Sequence, residues 1–205
     1  MARLVPGRWL LFLCVLRVYF PRMFSLLMPL LLAALTGAAP LQTTKPAAAP
    51  PIPWSATRRL TAADFLGRPN SALAASTTSD IKANVGCTDF VFNSSAQATF
   101  DPNTSWIRDP KHLTEALLRH EQLHFDITEI YARKMRQKMA AFKQTADCGK
   151  LQPAFNNMTK PVYAEWSREE ARYDQQTNHG LNAAQQAAWE QQVQQKLEQL
   201  KEYAL

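Results

Sequence analysis

The run Leu118-Arg119-His120-Glu121-Gln122-Leu123-His124-Phe125-Asp126 carries H-E-x-x-H, and the residues around it leave little choice of conformation. Leu113, Leu117, His120, His124, Ile127 and Tyr131 recur at spacings of four and three, the period that gathers side chains on one face of an α-helix. Both histidines therefore sit on the stripe that turns toward a core. Imidazoles four residues apart differ by about 40° around the helix axis, so the pair can grip one metal ion. Glu121 is offset by one residue, which leaves its carboxylate beside the ion rather than on it. Zinc suits such a pair, because imidazole is a borderline ligand and a d¹⁰ ion accepts an open tetrahedral site. Water on Zn²⁺ is acidified toward a pKa of ~7, and Glu121 is placed to take its proton and pass it to a leaving amine. The competing reading, two hydrogen-bonded core histidines, would bury two imidazoles and a carboxylate with no shared ligand to repay their desolvation.

A hydrolytic zinc site needs a third protein ligand. Glu129 follows His124 by five residues and His120 by nine, about 140° and 180° around the axis, so it faces away. Asp126 fails in the same way. His112 precedes His120 by two turns and reads as a surface histidine near the helix start. His179, followed by Gly180 at a helix end, is taken as the third ligand, with Asp174 and Glu170, four apart on the preceding helix, as alternatives. Tyr173 reads as a buried structural tyrosine, or else as a phenol that stabilises an oxyanion.

The helices around these residues have recognisable ends. Asp109-Pro110 predicts an N-cap and first helical residue, with the helix continuing to about Lys143 and stopping by Cys148-Gly149. A second helix is expected from Lys160-Pro161 to Asn178, with Gly180 as left-handed cap, and a third from an Asn182 cap to the C-terminus. Residues 54–108 carry short β-like runs broken by Gly, Pro, Asn and Asp: Ala72–Ile81, Thr88–Phe92 and Ala96–Phe100. These predict a small, mostly antiparallel sheet. The fold expected is α+β, a sheet followed by three helices with H-E-x-x-H on the first long one.

The N-terminus reads differently. Arg17 and Arg22 precede the apolar run Met23–Leu35, and the small residues Thr36-Gly37-Ala38-Ala39 follow it, so residues 1–39 are expected to be a signal peptide, or else an uncleaved anchor. Residues 40–53 hold five prolines and no aromatic, as an extended linker does. The folded body is expected over 54–205. The chain's net charge is +6, but removing 1–39 leaves 19 basic against 17 acidic side chains, a net of +2. That small excess argues against a nucleic-acid-binding body. Two cysteines, Cys87 and Cys148, remain after such cleavage, an even count that predicts one disulfide in an oxidising compartment. No G-x-S-x-G occurs, which disfavours a serine hydrolase.

Taken in order, Trp54, Arg59–Phe65, Ala74–Thr77, Phe100–Trp106, His120–Asp126, and Tyr173-Asp174 to His179-Gly180 with Gln186 and Trp189 resemble a bacterial domain family of unknown function whose members are described as predicted secreted zinc-dependent proteases. The resemblance spans roughly 54–195. It implies an exported bacterial protein with a zincin-like catalytic half. The resulting expectation is a periplasmic or secreted zinc peptidase with one Zn²⁺ per chain. Its metal would be held by His120, His124 and His179, its base would be Glu121 and its partner a peptide or protein substrate. Membrane contact would come only through a retained N-terminal segment. The alternative is an exported zinc-binding or envelope-interaction protein without turnover.

Overall fold

The computed structural model describes residues 47–143 and 147–205. The expectations for 1–39 and for residues 40–46 of the linker lie outside the described residues. Among the described residues five strands precede three helices: β1 (Ile52–Pro53), β2 (Ala75–Ser76), β3 (Ser79–Thr88), β4 (Val91–Phe100), β5 (Trp106–Ile107), α1 (Glu115–Lys143), α2 (Leu151–Thr177) and α3 (Ala183–Gln199). This is the expected α+β class, with every strand pair antiparallel. One sheet has the order β1-β4-β3, and β2 pairs with β5 in a second.

The β3–β4 hairpin is longer than the sequence runs predicted. Thr88–Phe92 was expected to be strand, yet Asp89 and Phe90 form the turn, both with positive φ (51° and 62°). Asn93-Ser94-Ser95, which separates two of the expected runs, continues β4 with the register Gly86↔Asn93, Val85↔Ser94 and Asn84↔Ser95. Register decides this. It sets Ile81 opposite Ala98 and Ala83 opposite Ala96 on one face, and all four bury or partly bury there. The buried side of the sheet receives α1, whose Phe125 ring lies 5.9 Å from Phe100. Cys87 near the hairpin tip is disulfide-bonded to Cys148, as expected from the cysteine count.

Helix boundaries differ from the sequence expectation in four places. Pro110–His112 is a single 3-10 turn and Leu113 is extended, so α1 starts one turn late, with Thr114 Oγ1 accepting from Leu117 N–H. α2 begins at Leu151, ten residues before the expected start, and runs through Pro161. A proline there removes one helical hydrogen bond and crowds the preceding turn. The burial of Phe155, Thr159 and Val162 on either side outweighs that cost. At the other end Asn178, not Gly180, is the left-handed cap, and His179 and Gly180 follow it with positive φ as well. α3 starts as expected, with Asn182 Oδ1 accepting from Gln185 N–H, but ends at Gln199. Among the described residues no helix is long and apolar enough to cross a membrane.

Candidate metal centre

α1 is buried along its middle because the sheet covers one side and α2 and α3 cover others, so His120, Glu121 and Gln122 are all nearly inaccessible. The spacing that aligns His120 with His124 is met on α2 by a second pair at the same spacing, Glu170 and Asp174. The match is direct. Asp174 Oδ1 lies 3.1 Å from His120 Nε2 and 3.0 Å from His124 Nε2, while Glu170 Oε2 lies 2.5 Å from His124 Nδ1.

Each imidazole is oriented from behind. Gln186 Oε1 on α3 accepts from His120 Nδ1 at 3.2 Å and from the Tyr173 hydroxyl at 2.8 Å. Glu170 accepts from His124 Nδ1, and its other oxygen accepts from Trp166 Nε1 at 2.7 Å. With both Nδ1–H groups engaged, both Nε2 atoms face Asp174, the tautomer arrangement that metal-binding histidines commonly require. The Tyr173 ring stacks on His120 with centroids 4.7 Å apart. Tyr173 is therefore the buried structural residue of the two readings. Burial holds its phenol above its usual pKa, and it is spent on Gln186.

One side-chain oxygen from Asp174 and one ring nitrogen each from His120 and His124 lie within 4.8 Å of one another, close enough to share a cation. His179, taken as third ligand from sequence, is half exposed, and its Nδ1 lies 3.3 Å from Asp174 Oδ1. Glu170, the other alternative, touches His124 Nδ1, on the side of the ring away from Asp174. His112 is on the surface, paired with Asp109. Asp126 and Glu129 are buried but bind other partners. Gly180 has a clear reason to be glycine: a Cβ there would lie 3.0 Å from the His120 ring, on a backbone with φ +79°.

The electrostatics favour a cation at this point. Burial alone would push the Asp174 pKa up, but hydrogen bonds from His120 and His124 override it and hold the carboxyl well below the usual range. Burial would lower the His124 pKa, yet its bonds to Asp174 and Glu170 win and raise it to about 10. Glu121 is 3 % exposed, and its Oε2 has no hydrogen-bond partner among the described residues. It lines a hollow of about 90 Å³ together with His120, His124, Asp174, His179, Leu117 and the stretch Leu73–Thr77. A buried carboxylate oxygen without a donor is costly unless a water or an ion completes it.

The donor set thus fits zinc: two imidazoles on one helix face, a carboxylate and a half-exposed third imidazole at the rim. Sequence reasoning paired His120 with His124 and named Asp174 only as an alternative to His179, and it missed the use of Gln186 and Trp166 as orienting groups. Gln186 carried no signal of that use, since a glutamine on an amphipathic helix reads as a packing or capping residue. No curated protein and no solved structure matches the chain. A family described as bacterial protein of unknown function (DUF922) matches residues 72–180, from just before β2 through Gly180, a narrower span than the resemblance suggested. The match takes in more than half of the chain and includes H-E-x-x-H, Glu170, Asp174 and His179, and the chain belongs to this family.

Proposed function

We propose that the body is a zinc-dependent peptidase that works outside the cytoplasm. The observation that carries this reading is the partnerless Glu121 Oε2, buried in the same hollow as the two imidazoles. His120 and His124 would hold the ion through Nε2, with Asp174 or His179 as the third ligand. Bound there, zinc would supply a Lewis acid that polarises the scissile carbonyl and makes an attacking water more acidic. Glu121 would accept the water's proton as the water oxygen bonds to the carbonyl carbon. It would then give that proton to the amide nitrogen as the C–N bond breaks, so the carboxylate is regenerated.

The edge of β2 supports a peptide as substrate. Ala74 O accepts from Arg108 N–H, so in an antiparallel pair the N–H and C=O of Ala75 point to the other side of the strand. The hollow is lined on one side by Ala74, Ala75 and Ser76. An extended peptide could therefore pair there and bring a carbonyl past Glu121. The expectation of export rests on the apolar N-terminal run and is consistent with a disulfide in the body.

A second reading has its own observation. Asp174 Oδ1 is within 3.3 Å of nitrogens of all three histidines, and four protein ligands would close a tetrahedral ion with no position left for chemistry. That protein would bind zinc without turnover. The test is metal analysis of the purified body followed by a broad peptide screen, with Glu121→Gln alongside. One zinc per chain, hydrolysis by the wild type, and a ~10²–10⁴-fold loss in zinc-loaded Glu121→Gln are expected. A zinc-loaded Glu121→Gln protein with full activity on a confirmed substrate would sink the peptidase mechanism. Tight zinc with no hydrolysis in any screen would favour the closed site.

A further inference from the structure

The hollow at the metal centre has two kinds of wall. Its ionisable lining is the site itself, the three histidines with Glu121 and Asp174, and the rest is Leu117 and the stretch Leu73–Thr77. Among the large apolar side chains that are exposed in the described residues, Leu73, at 38 %, is the one that lines this hollow. A single exposed leucine is ordinary on any surface, but this one is held in place. Arg108 donates through Nε to Leu73 O at 2.9 Å, through its backbone N–H to Ala74 O at 2.8 Å, and through its guanidinium to Ser71 O. The same guanidinium lies over the buried Trp106 ring, 5.6 Å from the centroid. Leu117 is half-buried and stands one turn before Glu121, on the same face of α1.

We propose that Leu73 and Leu117 select the substrate: the peptide carries a large apolar side chain, Leu, Met or Phe, beside the bond that is cut, and that side chain rests on these two residues. The inference rests on the peptidase reading and adds a substrate class to it. At about 90 Å³ the hollow is below the size that encloses a ligand, so the side chain lies on the rim while the peptide backbone passes the histidines. Contact with Leu73 and Leu117 takes apolar surface out of water on both partners. Because Arg108 fixes the Ser71–Ala74 backbone in advance, binding does not bear the cost of ordering that wall. An acidic side chain in the same place would meet the Glu121 carboxylate and is disfavoured by repulsion.

The test uses the zinc-loaded body and two series of hydroxamates, a group that binds zinc directly. One series carries its side chain on the acyl side and the other on the amine side, and each offers isobutyl, methyl or carboxymethyl. Calorimetric titration reads their binding apart from any turnover. In at least one series isobutyl should bind about tenfold or more tighter than methyl and carboxymethyl, the discrimination that a few methylenes on an apolar surface supply. Leu73→Ser, at an exposed position, and Leu117→Ala should each shrink the isobutyl-to-methyl ratio about threefold or more. Zinc content and methyl affinity should stay as in the wild type, which separates lost selection from a damaged fold. Peptides that the wild type cleaves should carry Leu, Met or Phe beside the cut. Hydroxamates that bind without regard to side chain, or a preference that survives either variant, overturn selection by this pair and leave the peptidase reading standing. A body that takes no zinc, or zinc that takes no hydroxamate, overturns both, because no open position on an ion then exists.

Discussion

Two buried polar clusters hang on the same helix, and they are finished differently. On one side of α1, Asp126 is wholly buried and accepts from Trp54 Nε1, Arg59 and Gln122 Nε2. Glu129 accepts from Arg133 and Arg136. Among the buried polar atoms described, each of these has its partner. On the other side His120 and His124 crowd one carboxylate oxygen, and Glu121 Oε2 has none. A satisfied buried network ties elements together and leaves nothing for a ligand to do. An unsatisfied one is tolerated where something else completes it, so the contrast separates the cluster that holds the fold from the one proposed to receive an ion.

Breaking the satisfied cluster should have the largest effect on stability. Asp126→Ala removes the acceptor for Trp54, Arg59 and Gln122 at once and leaves the buried Gln122 amide without its partner, while half-exposed Arg59 regains water. A loss of ~1–3 kcal/mol is expected, the cost of a buried donor left unsatisfied. Zinc stoichiometry in the protein that still folds should be unchanged. Glu121→Gln should behave in the opposite way, keeping stability and losing hydrolysis. Denaturant titration of the two variants, each with and without zinc, sets them against each other. Equal stability losses would mean that the two clusters do not differ as described.

The second expectation concerns protons. In the metal-free protein His124 holds its proton up to about pH 10, because Asp174 and Glu170 outweigh its burial. A folded pKa raised above the ordinary 6.5 stabilises the metal-free fold fully below about pH 6.5 and loses that contribution as pH rises through 10. Zinc needs the neutral ring, so uptake near pH 7 should release about one proton, and apparent affinity should rise ~tenfold per pH unit below 10. Calorimetry in buffers of different ionisation enthalpy measures that proton directly. Zinc uptake with no proton release would place the ion away from His124.

How much of this was readable in advance follows from which interactions are local. H-E-x-x-H, its position on a buried stripe and the carboxylate pair at Glu170 and Asp174 are spacings within single helices, and each was visible. That His120 meets Asp174, and His124 meets both Asp174 and Glu170, depends on how α1 and α2 cross, which no spacing within one helix reports. The early start of α2 was hidden for a related reason. Lys160-Pro161 is a good local start signal, and only the packing of Phe155, Thr159 and Val162 on distant residues carries the helix through it. The hairpin turn at Asp89-Phe90 was likewise masked by two β-favouring phenylalanines.

The smallest expected effect tests the support behind the ligands. Both oxygens of Glu170 are acceptors: Oε2 takes the proton of His124 Nδ1, and Oε1 takes those of Trp166 and, at 3.3 Å, Thr128. Glu170→Gln keeps the shape but offers one carbonyl and one amide, so either His124 or Trp166 must face an N–H instead of an acceptor. The lost negative charge also makes the His124 ring a poorer electron donor. Removal of such an orienting carboxylate typically costs ~10–100-fold in metal affinity, and that loss is expected here, measured by competition with a chelator. Asp126→Ala, in the satisfied cluster, should leave the zinc affinity of the folded protein within about twofold, since its partners touch neither histidine. If Glu170→Gln held zinc as tightly as the wild type, the Glu170–His124 bond would be a packing contact, and the line drawn between the two clusters would have to exclude it.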